Sequence, residues 1–305
     1  MNRPAYPAGT RPQTITPLSN IMKKKSAASN RPPRPGITRR KSAKSAPVIS
    51  PEQVAEVLKL VKKANSVELK LSVPLTEHRA TIKGLGLDPV EAQPRQVFFY
   101  DTPDLALNQA GLVVRARRIQ GGSGDTVIKL RPVDPATIDA ELRRSAAFKI
   151  EVDVMPGGFV CSASFKGACS NRDVLDVATG KQTLKTLFSK EQRAFYDEHA
   201  PAGIALNSLV TLGPTFVLKS RHQPKDFDHR IVVEMWFYPD GSRILEISTK
   251  SLPDAVFQVA AEFKAHLTDC GIAIEAAQET KTRAALDYFR ARLDPDRPAD
   301  APSTD

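Results

Sequence analysis

Polar and apolar residues alternate with a period of two in eight short segments between residues 67 and 250. Successive side chains of a β-strand point to opposite faces, so this alternation predicts strands. The segments are rich in Val, Ile and Phe and are separated by Gly, Pro or Asp: VELKLSV, QVFFY, LVVRARR, DTVIKLR, FKIEVDV, TFVLKSR, RIVVEMWFY and SRILEISTK. The last two are joined by PDGS and predict a β-hairpin, because Asp-Gly tolerates the positive φ values of a tight turn.

Helical spacing of apolar residues appears in four other segments. Residues 51–64 place Val57 and Val61 on one side, and three further helices are expected over residues 181–199, 253–270 and 279–293. Residues 155–180 follow neither period and are expected to form an irregular insertion containing Gly and Ser. Many strands with few helices indicate an α+β body that is mainly antiparallel, with a closed or nearly closed barrel.

Charged residues occupy one face of most predicted strands. Arg115 and Arg117 oppose the apolar Val114 and Ala116. The same separation holds for Glu68 with Lys70, Lys129 with Arg131, Lys149 with Glu151 and Asp153, Lys219 with Arg221, and Glu246 with Lys250. Because amphipathic helices need an apolar surface to cover, the charged faces should turn away from the helices. An open sheet would leave these faces in water, whereas a barrel would gather them in its lumen.

The types of charged residue favour a location in a barrel lumen over a face exposed to water. Cations crowded into a space of low dielectric constant repel each other unless an anion compensates them. Arginine binds two phosphate oxygens in a fixed fork, and carboxylates without a His or Cys set suit a hard cation such as Mg²⁺ or Mn²⁺. Such a surface is typical of a site that binds a polyphosphate together with a divalent metal ion.

The net charge of +10 belongs to the N-terminal segment. Residues 1–50 contain eleven of the 44 Lys and Arg residues and no Asp or Glu, which leaves the remainder nearly neutral. Rich in Pro, Ser and Arg, they predict a disordered basic tail, with a weak nucleic-acid or polyphosphate contact as one expectation. The organisation expected is this tail, a folded domain over residues 51–292, and a second disordered tail over 293–305.

Neither a secretory signal nor a membrane span is evident, so we expect a cytoplasmic protein without membrane contact. An organelle transit peptide is the alternative for the basic leader. The odd set of Cys161, Cys169 and Cys270 favours reduced thiols over a disulfide.

Taken in order, several segments resemble the CYTH superfamily of triphosphate tunnel metalloenzymes, which includes thiamine triphosphatases, inorganic triphosphatases and class IV adenylate cyclases. The segments are SVELK, FYDTPDLALNQAGLVVRARR, TVIKLR, KIEVDV, FVLKSR, YPDGSRILEIS and TKTRAAL, and they follow the family from about residue 64 to residue 290. The DTPD–AGL–RARR block is the most specific of them. The resemblance implies an α+β fold with an eight-stranded antiparallel β-tunnel, helices packed outside, and a triphosphate held inside with Mg²⁺ or Mn²⁺.

The resemblance also implies roles for individual residues. Glu68 and Lys70 match the catalytic first strand. The phosphate-binding positions fall on Arg115, Arg117, Lys129, Arg131, Arg221 and Lys281, and the metal ligands on Glu68, Glu151, Asp153 and Glu246. Two positions depart from the family, because Ser66 and Ser248 stand where carboxylates are common. A neutral hydroxyl binds Mg²⁺ poorly, so these departures should weaken metal binding and turnover.

Three functions remain open at this point. The first is metal-dependent hydrolysis of an inorganic or organic triphosphate. The second is a binding module for polyphosphate or a nucleotide in which turnover has been weakened. The third is cyclisation of ATP, as in adenylate cyclases, although no adenine pocket is evident in the sequence.

Overall fold

A computed structural model describes residues 51–274 and 281–293. The strands in this part of the chain are β1 (Ser66–Val73), β2 (Gln93–Asp101), β3 (Leu112–Ile119), β4 (Gly124–Leu130), β5 (Phe148–Met155), β6 (Gly158–Cys169), β7 (Val210–His222), β8 (Ile231–Phe237) and β9 (Arg243–Ser251). They form a closed barrel in the order β1-β5-β6-β4-β3-β2-β7-β8-β9, with β9 pairing back to β1. The predicted barrel is therefore confirmed.

Two details of the predicted barrel are wrong. It has nine strands rather than eight, and β1 runs parallel to β5, whereas the other neighbouring strands are antiparallel. The additional strand is β6, which occupies nearly half of the segment expected to be irregular. Its sequence GFVCSASFKGAC alternates in the required way, but with small Ser, Ala, Gly and Cys residues that have weak strand propensity.

The helices are α1 (Pro51–Val61), α2 (His78–Gly84), α3 (Ala106–Gln109), α4 (Ala140–Arg144), α5 (Asn171–Ala178), α6 (Lys190–His199), α7 (Val256–Asp269) and α8 (Lys281–Leu293). The helix expected over 181–199 forms only in its second half. Ser189 is the N-cap of α6 and forms a capping box. Its side-chain oxygen accepts a hydrogen bond from the backbone N–H of Gln192, and the Gln192 side-chain oxygen accepts one from the backbone N–H of Ser189.

The main hydrophobic core lies outside the barrel and beneath the helices. On β1, Val67, Leu69, Leu71 and Val73 are buried in this core, while the alternate side chains face the lumen. Corresponding apolar faces of the other strands join residues of α1, α5, α6 and α7 in the same cluster. The prediction that apolar side chains lie beneath helices and ionic side chains turn inward is confirmed.

Helix α8 packs on a different surface from the other long helices. Its Ala285 and Leu286 form a second apolar cluster with Val97, Phe99 and Trp236, among others. These three strand residues share a face with charged lumen residues, since Val97 pairs with Arg117, Phe99 with Arg115, and Trp236 lies two residues from Glu234. Helix α8 therefore covers one part of the lumen rather than the outer core.

The predicted hairpin is present between β8 and β9. The backbone N–H of Tyr238 donates to the Ser242 carbonyl at 2.9 Å, and Gly241 has a φ of 86°. That conformation is costly for residues with a Cβ atom, which explains the glycine in the PDGS turn.

Both predicted tails lie almost wholly outside the described residues, namely 1–50 and 294–305. Within the described part, no helix is long and apolar enough to cross a membrane. Cys161, Cys169 and Cys270 are free thiols, as predicted.

Candidate active site in the barrel lumen

Three carboxylates meet on the lumen side of β1 and β5. The parallel register pairs Ser66 with Glu151 and Glu68 with Asp153. Glu68, Glu151 and Asp153 each offer a carboxylate oxygen, and these oxygens lie within 4.8 Å of one another. We call these three residues the carboxylate group. Sequence analysis predicted all three as metal ligands, and the β1–β5 pairing explains how they meet.

Asp153 is fully buried and surrounded by cations. Its carboxylate oxygens lie 3.1 Å from Lys70 Nζ, 3.5 Å from Lys129 Nζ and 3.8 Å from Arg131 Nη2. Burial alone would raise the pKa of Asp153, but these three cations outweigh it and hold the pKa well below its usual range. The carboxylate is therefore ionised at neutral pH.

The two lysines beside Asp153 differ in their protonation. Burial alone would lower the pKa of Lys70, yet Glu68, 3.0 Å away, and Asp153 raise it above its usual value. The positive charge of Lys129 is less strongly compensated by carboxylates. Burial lowers its pKa to about 8 despite the attraction of Asp153. Lys70 is a permanent cation at this site, whereas Lys129 titrates close to neutral pH.

The two serines that depart from the family pattern both hold carboxylates. Ser66 Oγ donates to Glu151 Oε1 at 3.1 Å, and Ser248 Oγ donates to Glu68 Oε1 at 3.1 Å. Lys250 Nζ also binds Glu151 Oε1. Each serine therefore orients a member of the carboxylate group, although it brings no negative charge of its own.

Arginines line the opposite side of the lumen, on β3. The Arg117 guanidinium binds Asp125 with two hydrogen bonds, 2.7 Å from Nε to Oδ1 and 2.5 Å from Nη2 to Oδ2. Burial and then the neighbouring Arg117 lower the pKa of Arg115 to about 10, so it remains charged at neutral pH. Arg221, on β7, is exposed to solvent.

A third ionic cluster connects α8 to the barrel. Lys281 Nζ donates to Glu246 Oε1 at 2.8 Å and also binds Glu234, which Lys219 contacts at 2.7 Å. The Lys281 ammonium lies 5.2 Å from the centre of the Trp236 ring. Glu246 thus lies outside the carboxylate group, and its predicted role as a metal ligand stays a prediction.

The structure brings most predicted site residues onto one inner surface. Glu68, Lys70, Lys129, Arg131, Glu151 and Asp153 form a single contact network, and Arg115, Arg117, Glu246 and Lys281 face the same lumen. Sequence reasoning missed Arg95, Asp125, Lys166 and Glu234 as lumen residues. Alternation could have indicated three of them, because Arg95 lies two residues before Val97, Asp125 four before Lys129, and Glu234 two before Trp236.

Solved structures with a similar fold include proteins from Hippeastrum and Bacillus halodurans. The chain superposes on HpAC1 from Hippeastrum, an adenylyl cyclase candidate with a dominant triphosphatase activity, with a TM-score of 0.55, 15% identity, and 72% of this chain and 95% of that chain covered. An adenylate cyclase candidate from Bacillus halodurans gives a TM-score of 0.51 at 13% identity, covering 72% of this chain and 97% of that chain. Comparison with protein-family models and with curated protein sequences finds no match.

These similarities define the class of fold. The chain has a CYTH-like tunnel fold, as the sequence resemblance predicted. At 13–15% identity the comparison concerns the fold alone.

Proposed function

We propose that the lumen binds a triphosphate and hydrolyses its terminal phosphoanhydride bond with the help of Mg²⁺ or Mn²⁺. The observation that carries this proposal is the carboxylate group, which faces Lys70, Lys129 and Arg131 inside a closed barrel. Carboxylates for a hard cation and basic groups for phosphate oxygens are the two requirements of metal-assisted phosphoryl transfer. The triphosphatase activity of HpAC1, which has a similar fold, supports the same reaction.

The carboxylate group fits a divalent metal ion. Asp153 is fully buried, and neither of its oxygens accepts a well-formed hydrogen bond from the described residues. Glu68, Glu151 and Asp153 supply only oxygen ligands, which Mg²⁺ and Mn²⁺ prefer. A bound ion would neutralise charge on the phosphoryl oxygens and polarise the terminal phosphate.

The protein side chains have separate tasks in this proposal. Lys70, Lys129 and Arg131 contact the phosphate held beside the carboxylate group, and Arg115 and Arg117 bind further phosphate oxygens from the opposite side. Arg221 and Lys281 are the remaining predicted phosphate ligands. Glu68 orients the attacking water, and Lys70, 3.0 Å from Glu68, stabilises negative charge that develops on the transferred phosphoryl group.

A specific observation favours a second candidate, a binding module with little turnover. Every member of the carboxylate group is already paired with a cation: Glu68 with Lys70, Glu151 with Lys250, and Asp153 with Lys70, Lys129 and Arg131. A metal ion must compete with these cations, and Ser66 and Ser248 supply no additional negative charge. The lumen would then hold polyphosphate or a nucleotide without cleaving it.

One experiment separates these functions. The purified full chain is incubated with inorganic triphosphate, thiamine triphosphate or ATP, each with Mg²⁺, Mn²⁺ or chelator, and phosphate, cyclic AMP and ligand binding are measured. Metal-dependent phosphate release that is lost in Glu68→Gln and kept in the exposed Glu191→Gln control supports hydrolysis. Tight binding without release supports the module, cyclic AMP supports a cyclase, and the absence of binding overturns all three.

A further inference from the structure

Positive charge is distributed unevenly around the lumen. Beside the carboxylate group, Lys70, Lys129, Arg131 and Lys250 face three carboxylates. Across the lumen, the excess of cations is larger: Arg95, Arg115, Arg117 and Lys219 lie beside Asp125 and Glu234, and Glu234 is also bound by Lys281. Buried cations in excess are unfavourable unless an anion is bound, so this second side of the lumen is where the need for an anion is greatest.

Arg95 forms no ion pair with a carboxylate of the described residues, and burial lowers its pKa. Its side chain is 6% exposed and lies on the lumen face of β2, two residues from Val97. The Arg95 Nη2 atom donates to Gln93 Oε1 at 2.7 Å, but its Nε has no hydrogen-bond partner among the described residues. Arg115 Nε lacks one as well. Two neighbouring buried guanidinium groups thus retain unused donors, which phosphate oxygens would satisfy.

Lys166 lies on the other side of the arginine pair. On β6 it pairs with Val127 of β4, and Val127 in turn pairs with Arg115 of β3. Partial desolvation against the lumen wall lowers the pKa of Lys166, and the charges of Glu151, Lys250, Arg115 and Arg117 also act on it. Lys166 is exposed to solvent, so it can meet an anion that extends beyond the inner residues.

The remaining lumen surface argues against a nucleoside at this position. Arg95 precedes Val97 and Phe99 along β2, and those two residues lie beneath α8. The aromatic rings of Phe99 and Trp236 are 1% and 2% exposed within the same cluster, so neither is free to stack on a base. This part of the lumen offers additional cations but no accessible aromatic ring. It therefore suits additional phosphate groups better than a ribose and a base.

We propose that Arg95 and Lys166, on either side of Arg115 and Arg117, form an anion subsite that selects linear inorganic polyphosphate longer than triphosphate. This inference rests on the proposed function, since the inner phosphates are assigned to the same lumen. Lys70, Lys129 and Arg131 hold the phosphates nearest the carboxylate group. Arg95 and Lys166 bind those that follow along the chain.

Calorimetric titration of the full chain in chelator tests this inference without relying on turnover. The probes are inorganic triphosphate and a polyphosphate of defined medium length, with affinity expressed per chain. The variants are Arg95→Gln, Lys166→Gln and the charge-preserving Arg95→Lys. Arg118→Gln is the matched control, because Arg118 neighbours Arg117 but lies on the opposite face of β3, where it contacts Gln96 and Asn171.

We expect wild type to bind the longer chain more tightly than triphosphate. Arg95→Gln and Lys166→Gln should each weaken binding of the longer chain about tenfold and of triphosphate less than about threefold, and Arg95→Lys should restore part of the loss. Equal weakening of both ligands, or none, overturns the subsite but leaves the proposed function intact. Absence of triphosphate binding by wild type, both in chelator and in a parallel titration with Mn²⁺, overturns the proposed function itself. Lys166 is exposed, so its variant preserves the test if Arg95→Gln fails to fold.

Discussion

Ser248 on β9 donates a hydrogen bond from Oγ to Glu68 Oε1, at 3.1 Å, across the two strands that close the barrel. Ser66 makes the equivalent bond to Glu151 on the neighbouring pair of strands. Where the family resemblance leads one to expect carboxylates, this chain has hydroxyls that orient the carboxylates still present. Ser66 and Ser248 therefore make the site less negative than the family pattern implies, while their hydrogen bonds still fix the positions of Glu151 and Glu68.

Removing the Ser248 hydroxyl tests this positioning role. A hydrogen bond to a charged group contributes about 1.5–3 kcal/mol, so Ser248→Ala should lower Mn²⁺ affinity about tenfold or more by leaving Glu68 less constrained. Calorimetric titration of Mn²⁺ measures the change, and Ser208→Ala, at an exposed position outside the barrel strands, is the control. Unchanged Mn²⁺ affinity in Ser248→Ala would show that this hydrogen bond does not support a metal site.

Asp153 should be the most important carboxylate for stability. Asp153→Asn removes the anion shared by Lys70, Lys129 and Arg131, which leaves three neighbouring cations in the lumen. Breaking buried ion pairs in this way costs about 3–5 kcal/mol, and we expect a loss of that order in the free energy of unfolding. Denaturant unfolding measures it, with the exposed Asp254→Asn as control.

The same variant should bind phosphate better in the absence of metal. Without Asp153, the three cations have no internal anion, so triphosphate added in chelator should raise the melting temperature of Asp153→Asn more than that of wild type. A variant as stable as wild type, with an equal response to triphosphate, contradicts the assigned role of Asp153.

Lys129 should make anion binding depend on pH near neutrality. Its pKa of about 8 means that it carries a proton at pH 7 and has lost most of it by pH 9. Triphosphate affinity in chelator should therefore fall as pH rises through about 8, because the deprotonated amine no longer attracts phosphate. In Lys129→Arg the guanidinium stays charged, so the affinity ratio between variant and wild type should rise over this range. A constant ratio from pH 7 to pH 9 counts against this assignment.

Lys281 should hold α8 against the barrel. Lys281→Met leaves Glu234 and Glu246 without the ammonium that both contact, and we expect α8 to separate more readily from the apolar cluster around Trp236. Trp236 is the single tryptophan of the chain and is buried, so its emission should shift to longer wavelength and become more sensitive to quenching by acrylamide. Arg290→Met on the exposed side of α8 serves as the control, and identical spectra for the two variants would refute the role of Lys281.

The sequence predicted the parts of this fold that depend on alternation with large residues. The charged and apolar faces of β1, β3 and β5 were assigned correctly, because Val, Ile and Leu alternate with Lys, Arg, Glu or Asp. Strand β6 was missed since Ser162, Ala163 and Ser164 have small side chains, whose burial comes from neighbouring strands rather than from their own hydrophobicity. The parallel pairing of β1 with β5 depends on how the barrel closes, and the local sequence pattern of a strand does not predict this.

The residues missed in the lumen have similar explanations. Arg95 lies in the segment QPRQ, where Pro94 interrupts the strand signal, and Lys166 belongs to the missed strand β6. Glu234 was within a predicted strand, but its partners Lys219 and Lys281 come from β7 and α8. Such contacts require the tertiary arrangement, because the residues are far apart in sequence.

Binding of a triphosphate by the lumen arginines is tested most directly by calorimetric titration of inorganic triphosphate into the full chain. Wild type should bind, Arg118→Gln should bind equally well, and the Arg115→Gln/Arg117→Gln double variant should lose at least about thirtyfold in affinity. Equal affinity of wild type and the double variant, with both proteins folded, would contradict binding by these arginines.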